Sequence, residues 1–126
     1  MRPVERNGRC LEILVGENDR YRGSSLHEAI VQAAREMGLD GATVLRGVDG
    51  YGATRVTHKV RLLGHSEGEP IVIWIVDASE RLVDFKMHLT AMMEEADCGG
   101  AVVERDLQLF RYRQERGGQG PGRIRS

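Results

Sequence analysis

The chain has 126 residues, is 40% hydrophobic and 29% charged, and carries a formal net charge of −1. That length holds one domain with a real core and excludes two. The near-neutral charge argues against a protein that grips nucleic acid by neutralising phosphates, and no apolar run approaches the roughly 18–20 residues of a membrane span.

The N-terminus shows no secretory h-region, so the expected location is cytoplasmic. Residues 1–8 contain Pro3, Asn7 and Gly8 and are expected to form a flexible leader. Arg9–Gly16 alternates, with Leu11, Ile13 and Val15 on one face, and predicts a first strand. Glu17–Gly23 is polar and reads as a connecting loop. Ser25 and Glu28 have the S-x-x-E spacing of a capping box, and Leu26, Ala29, Ile30, Ala33, Ala34 and Met37 keep helical spacing up to Gly38.

Gly41–Gly52 is the stretch around which the chain is organised. Ala42-Thr43-Val44-Leu45 has the β-branched character of a strand, and Gly47, Gly50 and Gly52 break its regularity. Glycines give a loop bare amides and positive φ, which suit an anion cradle, but the same glycines fit a purely steric turn. Arg46 and Tyr51 add a charged fork and a flat ring. No G-x-x-x-x-G-K-[ST] or dinucleotide fingerprint is present.

From Ala53 to Glu69 the pattern degrades into a long loop. Ile71–Val76 follows, apolar on both faces, as a strand covered from two sides. Ser79 is the expected N-cap of a second helix, with Leu82, Phe85, Leu89, Met92 and Met93 as its core stripe and Asp97-Cys98-Gly99-Gly100 as its end. His27 and His88 are placed on helix surfaces. Ala101–Val103 and Leu107–Tyr112 supply a last strand, with a bend expected at 104–106. Residues 114–126 hold glycines, arginines and a proline with one apolar side chain, and are expected to form a disordered tail. Cys10 and Cys98 are far apart, with no C-x-x-C; both are expected reduced, although spacing leaves a bridge open.

The order β-α-β-loop-β-α-β predicts a ferredoxin-like α+β fold over residues 9–113, a four-stranded antiparallel sheet with both helices on one face. An apolar second face then calls for cover, and self-association through the sheet supplies it.

Gly16-Glu17-Asn18-Asp19-Arg20-Tyr21, His27–Val31, Gly41–Gly47 with Gly50-Tyr51-Gly52, and Pro70–Asp77 together resemble the PII-like proteins of the domain-of-unknown-function 190 family, from about Leu11 to Tyr112. The resemblance implies a homotrimer with its sheets around the three-fold axis and an adenine nucleotide in clefts between subunits. It implies a ligand site built from Arg46, Gly47, Gly50, Tyr51 and Gly52, the turn at Gly99 and Gly100, and Arg111 and Arg113, with no required cofactor. The turn lacks the lysine and Gly-x-Gly pattern of nitrogen-signalling PII proteins, so a mono- or diphosphate is implied as much as a triphosphate.

The expected function is a non-enzymatic regulator in which the nucleotide orders loop 53–69 and so controls a partner such as a transporter or enzyme. Two alternatives belong to other classes. Acylphosphatases share the strand order and hold phosphate after strand one, but their Gly-Val-x-Phe-Arg pattern is missing. The copper-tolerance relatives of PII share the fold, and His58, His65, Glu67 and Glu69 lie together in the loop sequence, without ligand spacing.

Overall fold

The structure is a computed structural model and describes residues 4–48 and 68–112. In chain order it contains β1 (Val4–Gly16), β2 (Arg20–Tyr21), β3 (Ser24–Ser25), α1 (Leu26–Glu36), β4 (Thr43–Arg46) and β5 (Pro70–Ala78). A 3-10 turn (Ser79–Arg81), α2 (Leu82–Ala96) and β6 (Ala101–Arg111) complete it. The main sheet has the order β4-β5-β1-β6 and every pairing in it is antiparallel. This is the ferredoxin-like arrangement expected from the sequence.

One face of the sheet carries the core. Leu11, Ile13 and Val15 of β1 and Ile71, Ile73 and Ile75 of β5 meet Leu26, Ile30, Ala33 and Ala34 of α1 and Leu82, Phe85, Leu89 and Met92 of α2. Period two in the strands and period 3.6 in the helices place these residues together. On the opposite face the register sets Leu45, Val72, Leu14 and Ala101 in one row and Thr43, Trp74, Glu12 and Val103 in the next. Leu14, Leu45, Trp74 and Val103 there are 40–43% exposed. Among the described residues this face is largely apolar and uncovered, and the Glu12–Arg105 ion pair (2.9 Å) crosses it.

Several local expectations change. β1 starts at Val4, because residues 4–8 pair with 107–111, so most of the expected leader is strand. β6 runs without the expected break at 104–106, since Glu104, Arg105 and Asp106 stay in register opposite Leu11, Cys10 and Arg9. Ser79 opens a 3-10 turn instead of capping α2 with its side chain. The 17–23 loop folds into the small β2–β3 hairpin, whose turn residues Arg22 (φ 50°) and Gly23 (φ 83°) form the primed turn that two-residue hairpins favour. A bidentate contact from Arg22 to Glu95 (2.7 and 2.9 Å) holds that left-handed arginine in place.

The capping box is present at the start of α1. Ser25 Oγ accepts from the Glu28 amide at 3.5 Å and also sits 2.9 Å from His27 Nδ1. His27 is not a surface residue: it is 7% exposed, tucked beneath the helix start. Ser25→Ala removes both contacts and leaves a buried ring nitrogen without this partner. It is expected to cost about 1–2 kcal/mol in urea denaturation, the larger half coming from the cap. A loss below a few tenths would show that water replaces the hydroxyl.

Candidate functional site

Arg46 is the last residue of β4 and stands beside Ile71 at the end of the sheet where β1 finishes. Its Nη1 lies 2.8 Å from Glu17 Oε2 and 3.7 Å from Glu69 Oε1. Glu17 is itself pinned. Its amide donates to the Glu69 carbonyl (2.9 Å), and its Oε1 accepts from the Glu69 amide (3.0 Å). The Glu69 N–H, then the Arg46 guanidinium, hold the Glu17 carboxyl below its ordinary value. Gly68 makes this closure feasible: at φ +79° its backbone is left-handed, and a Cβ there would lie 2.8 Å from the Glu17 Cβ. Next to Arg46, the Gly47 amide donates to the Pro70 carbonyl at 2.7 Å. That N–H is engaged in the chain's own backbone rather than turned outward, contrary to a cradle of free amides at Gly47.

The turn after α2 closes the same end of the sheet. Asp97 terminates the helix in a left-handed conformation (φ 54°). Gly100 then passes so close to β1 that a Cβ would lie 2.6 Å from the Leu14 carbonyl oxygen and 2.7 Å from Met93 Cε. Glycine is required here for packing. Burial pushes the Cys98 thiol up, and burial does the same to Cys10; both are free thiols and neither is an activated nucleophile.

Arg111 does not join this group. It pairs with Asp40 at 3.3 Å, and the Asp40 amide in turn donates to Asp77 Oδ2 at 3.0 Å. Asp77 is six residues from Ile71 along β5, about 20 Å in an extended strand. The structure therefore brings Arg46, Gly47 and the Gly99–Gly100 turn to one end of the sheet and Arg111 to the other. Gly50, Tyr51, Gly52 and Arg113, together with His58, His65 and loop 53–67, lie outside the described residues.

Around Arg111 is a second polar cluster that sequence reading did not find. Asp77 is 2% exposed and accepts from the Ala78 amide (2.7 Å) and from Arg81 Nε (3.0 Å); Arg81 also donates to the Gly38 carbonyl. Among the described residues no three His, Cys, Asp or Glu side chains come together as a metal-holding group. In the turn after β1, Asp19 Oδ2 accepts from the Gly16 amide at 2.7 Å, so that loop satisfies its own donor with a carboxylate where an acylphosphatase-like loop needs to receive a phosphate.

A four-stranded sheet of this order with two helices on one face is the fold of PII-like proteins. The chain superposes on CPII of Thiomonas intermedia K12, described as a nitrogen regulatory PII-like protein, in its apo form with a TM-score of 0.58 at 17% identity, covering 87% of this chain and 99% of that one. The CPII structure with ADP and bicarbonate gives a TM-score of 0.61 at 18% identity, covering 86% and 98%. Residues 8–109 match the model of the family of domain of unknown function 190, described as an uncharacterized ACR, and the chain belongs to that family. It is similar to a UPF0166 protein of Aquifex aeolicus, 33% identical over 85 residues, which make up 68% of this chain and 79% of the relative. A UPF0166 protein of Methanocaldococcus jannaschii is 25% identical over 103 residues, 82% of this chain and 92% of that one.

Proposed function

We propose that this protein is a cytoplasmic, homotrimeric PII-like regulator that binds an adenine nucleotide between subunits and reports it through loop 53–69 to a partner, a transporter or an enzyme. In this reading Arg46, Gly47, the loop base at Gly50-Tyr51-Gly52 and the Gly99–Gly100 turn come from one chain, and Arg111 and Arg113 from its neighbour. The observation that carries it is the fold shared with CPII, and the separation of Arg46 from Arg111 to opposite ends of one sheet sets what the site would require of the assembly. Such residues meet at one ligand only if a second copy supplies one of them. The uncovered face bearing Leu14, Leu45, Trp74 and Val103 offers the surface on which copies would associate. The likeness to CPII, one structure of which is described as bound to ADP, AMP and acetate, supports an adenine nucleotide as ligand. A regulator fits better than an acyl-phosphate hydrolase because the Asp19 carboxylate already takes up the Gly16 amide in the loop after β1.

Thermal unfolding with and without millimolar AMP, ADP, ATP and cyclic AMP tests the proposal. A ligand of the native state adds RT ln(1 + [L]/Kd), roughly 2.7 kcal/mol at a hundredfold excess over Kd. At least one nucleotide is expected to raise the transition. Arg46→Ala is expected to weaken that ligand roughly tenfold or more, the scale of a charge-assisted hydrogen bond, while leaving the assembly mass unchanged. Four flat titrations would remove the nucleotide from the proposal.

A further inference from the structure

The one arginine that the described part of the loop base offers to a phosphate does not stand alone. Glu17 Oε2 is 2.8 Å and Glu69 Oε1 is 3.7 Å from its Nη1, and the Glu17 carboxylate is fixed there by the Glu69 amide. Arg46, Glu17 and Glu69 therefore form a triad of net charge −1 at the mouth of the proposed site. Arg46 is half exposed, so it retains surface for a ligand while its two carboxylates remain alongside.

We infer that Glu17 and Glu69 are specificity-determining residues that select the less charged nucleotide phosphates. This rests on the nucleotide reading above. A monophosphate brings about two negative charges to the triad and a triphosphate about four, so each fixed carboxylate repels the longer chain more. At separations near 7 Å and with water-like screening, one carboxylate acting on two extra charges changes relative affinity by roughly sevenfold. Glu17 also orients Arg46, so its loss alone mixes positioning with repulsion. Glu69 makes only the longer contact to Arg46 with its side chain and separates the two effects.

The test is calorimetric titration of the full chain with AMP, ADP and ATP at low salt, for the unaltered protein, Glu17→Gln, Glu69→Gln and Glu80→Gln. Glutamine keeps an oxygen to accept the Glu69 amide, so the closure between β1 and β5 is retained in Glu17→Gln. The ATP-to-AMP affinity ratio is expected to rise roughly sevenfold in Glu69→Gln and at least as much in Glu17→Gln, and to stay fixed in Glu80→Gln, whose carboxylate faces Arg6 elsewhere. The rise should shrink at 0.5 M salt. Binding with an unchanged ratio in both site variants overturns the inference and leaves the nucleotide reading intact. No binding by any of the four proteins overturns both.

Discussion

Asp77→Ala is expected to cost about 3 kcal/mol, among the largest losses from one polar side chain in this fold. The cost comes mainly from two stranded amides. The Asp40 and Ala78 N–H groups now donate to the Asp77 carboxylate; Ala78 is almost wholly buried, and an unsatisfied buried donor costs about 1–3 kcal/mol, whereas the amide of the exposed Asp40 adds less. Arg81 adds less, because its side chain is 41% exposed and can turn to water. Asp77→Asn keeps one acceptor oxygen and should lose about half as much. Urea unfolding at several protein concentrations measures both, and a cost under about 1 kcal/mol for the alanine variant would contradict the account.

The same carboxylate sets a pH dependence. Burial alone pushes the Asp77 carboxyl up, but the Asp40 and Ala78 amides and the Arg81 guanidinium together outweigh it and hold the group below its ordinary value. A depressed carboxyl contributes stability that is fully present above its unfolded-state value and lost as pH falls through its folded-state value. The acid side of the stability curve should therefore be shallower in Asp77→Asn than in the unaltered protein.

Trp74→Glu is expected to convert the proposed trimer into folded monomers. Trp74 stands between Thr43 and Glu12 in the middle of the sheet face that the described residues leave uncovered, is 43% exposed in the single chain, and lies on the face opposite the core, so the core packing is untouched by the substitution. Covering the exposed part of the ring removes on the order of 100 Å² of apolar surface from water, about 2–3 kcal/mol per chain, and an unpaired carboxylate in its place costs more than that. Sedimentation equilibrium should give three times the 14.0 kDa chain mass for the unaltered protein and the chain mass for the variant, with circular dichroism unchanged. A variant that keeps the higher mass, or an unaltered protein already at the chain mass, would show that this face is not where copies meet.

The fold was legible because its signals are local. Alternation in 11–15, the Ser25–Glu28 box and the stripe at 82, 85, 89 and 92 each state their element without help from the rest of the chain. The doubly apolar β5 also announced that both its faces need cover. What escaped was set by register between distant segments. Glu17 meets Glu69 because β1 pairs with β5 so that Gly16 faces Pro70, and nothing in either local sequence says so. His27 is buried at the junction where β3 runs directly into α1, beside Ser25, and an Arg-Gly turn is a weak signal for that hairpin beside Asn-Gly. For the site, residue choice ran ahead of geometry. Arg46 and the Gly99–Gly100 turn were picked out and share one end of the sheet, yet the Gly47 amide is committed to Pro70 and Arg111 is held by Asp40 at the other end.

The pairing of Val4 with Arg111 has a practical consequence. Where the domain enters and where it leaves are adjacent strand positions, about 5 Å apart, on the pole away from Arg46. A short linker could join them and new ends be opened at the Arg22–Gly23 turn, giving a circular permutant whose sheet order is unchanged. An affinity handle or fluorophore fused next to residue 4 or 111 would sit remote from Glu17, Arg46 and Glu69 of its own chain but, in the proposed trimer, beside the ligand of a neighbouring copy, so a handle at the Arg22–Gly23 turn is the one expected to leave binding intact.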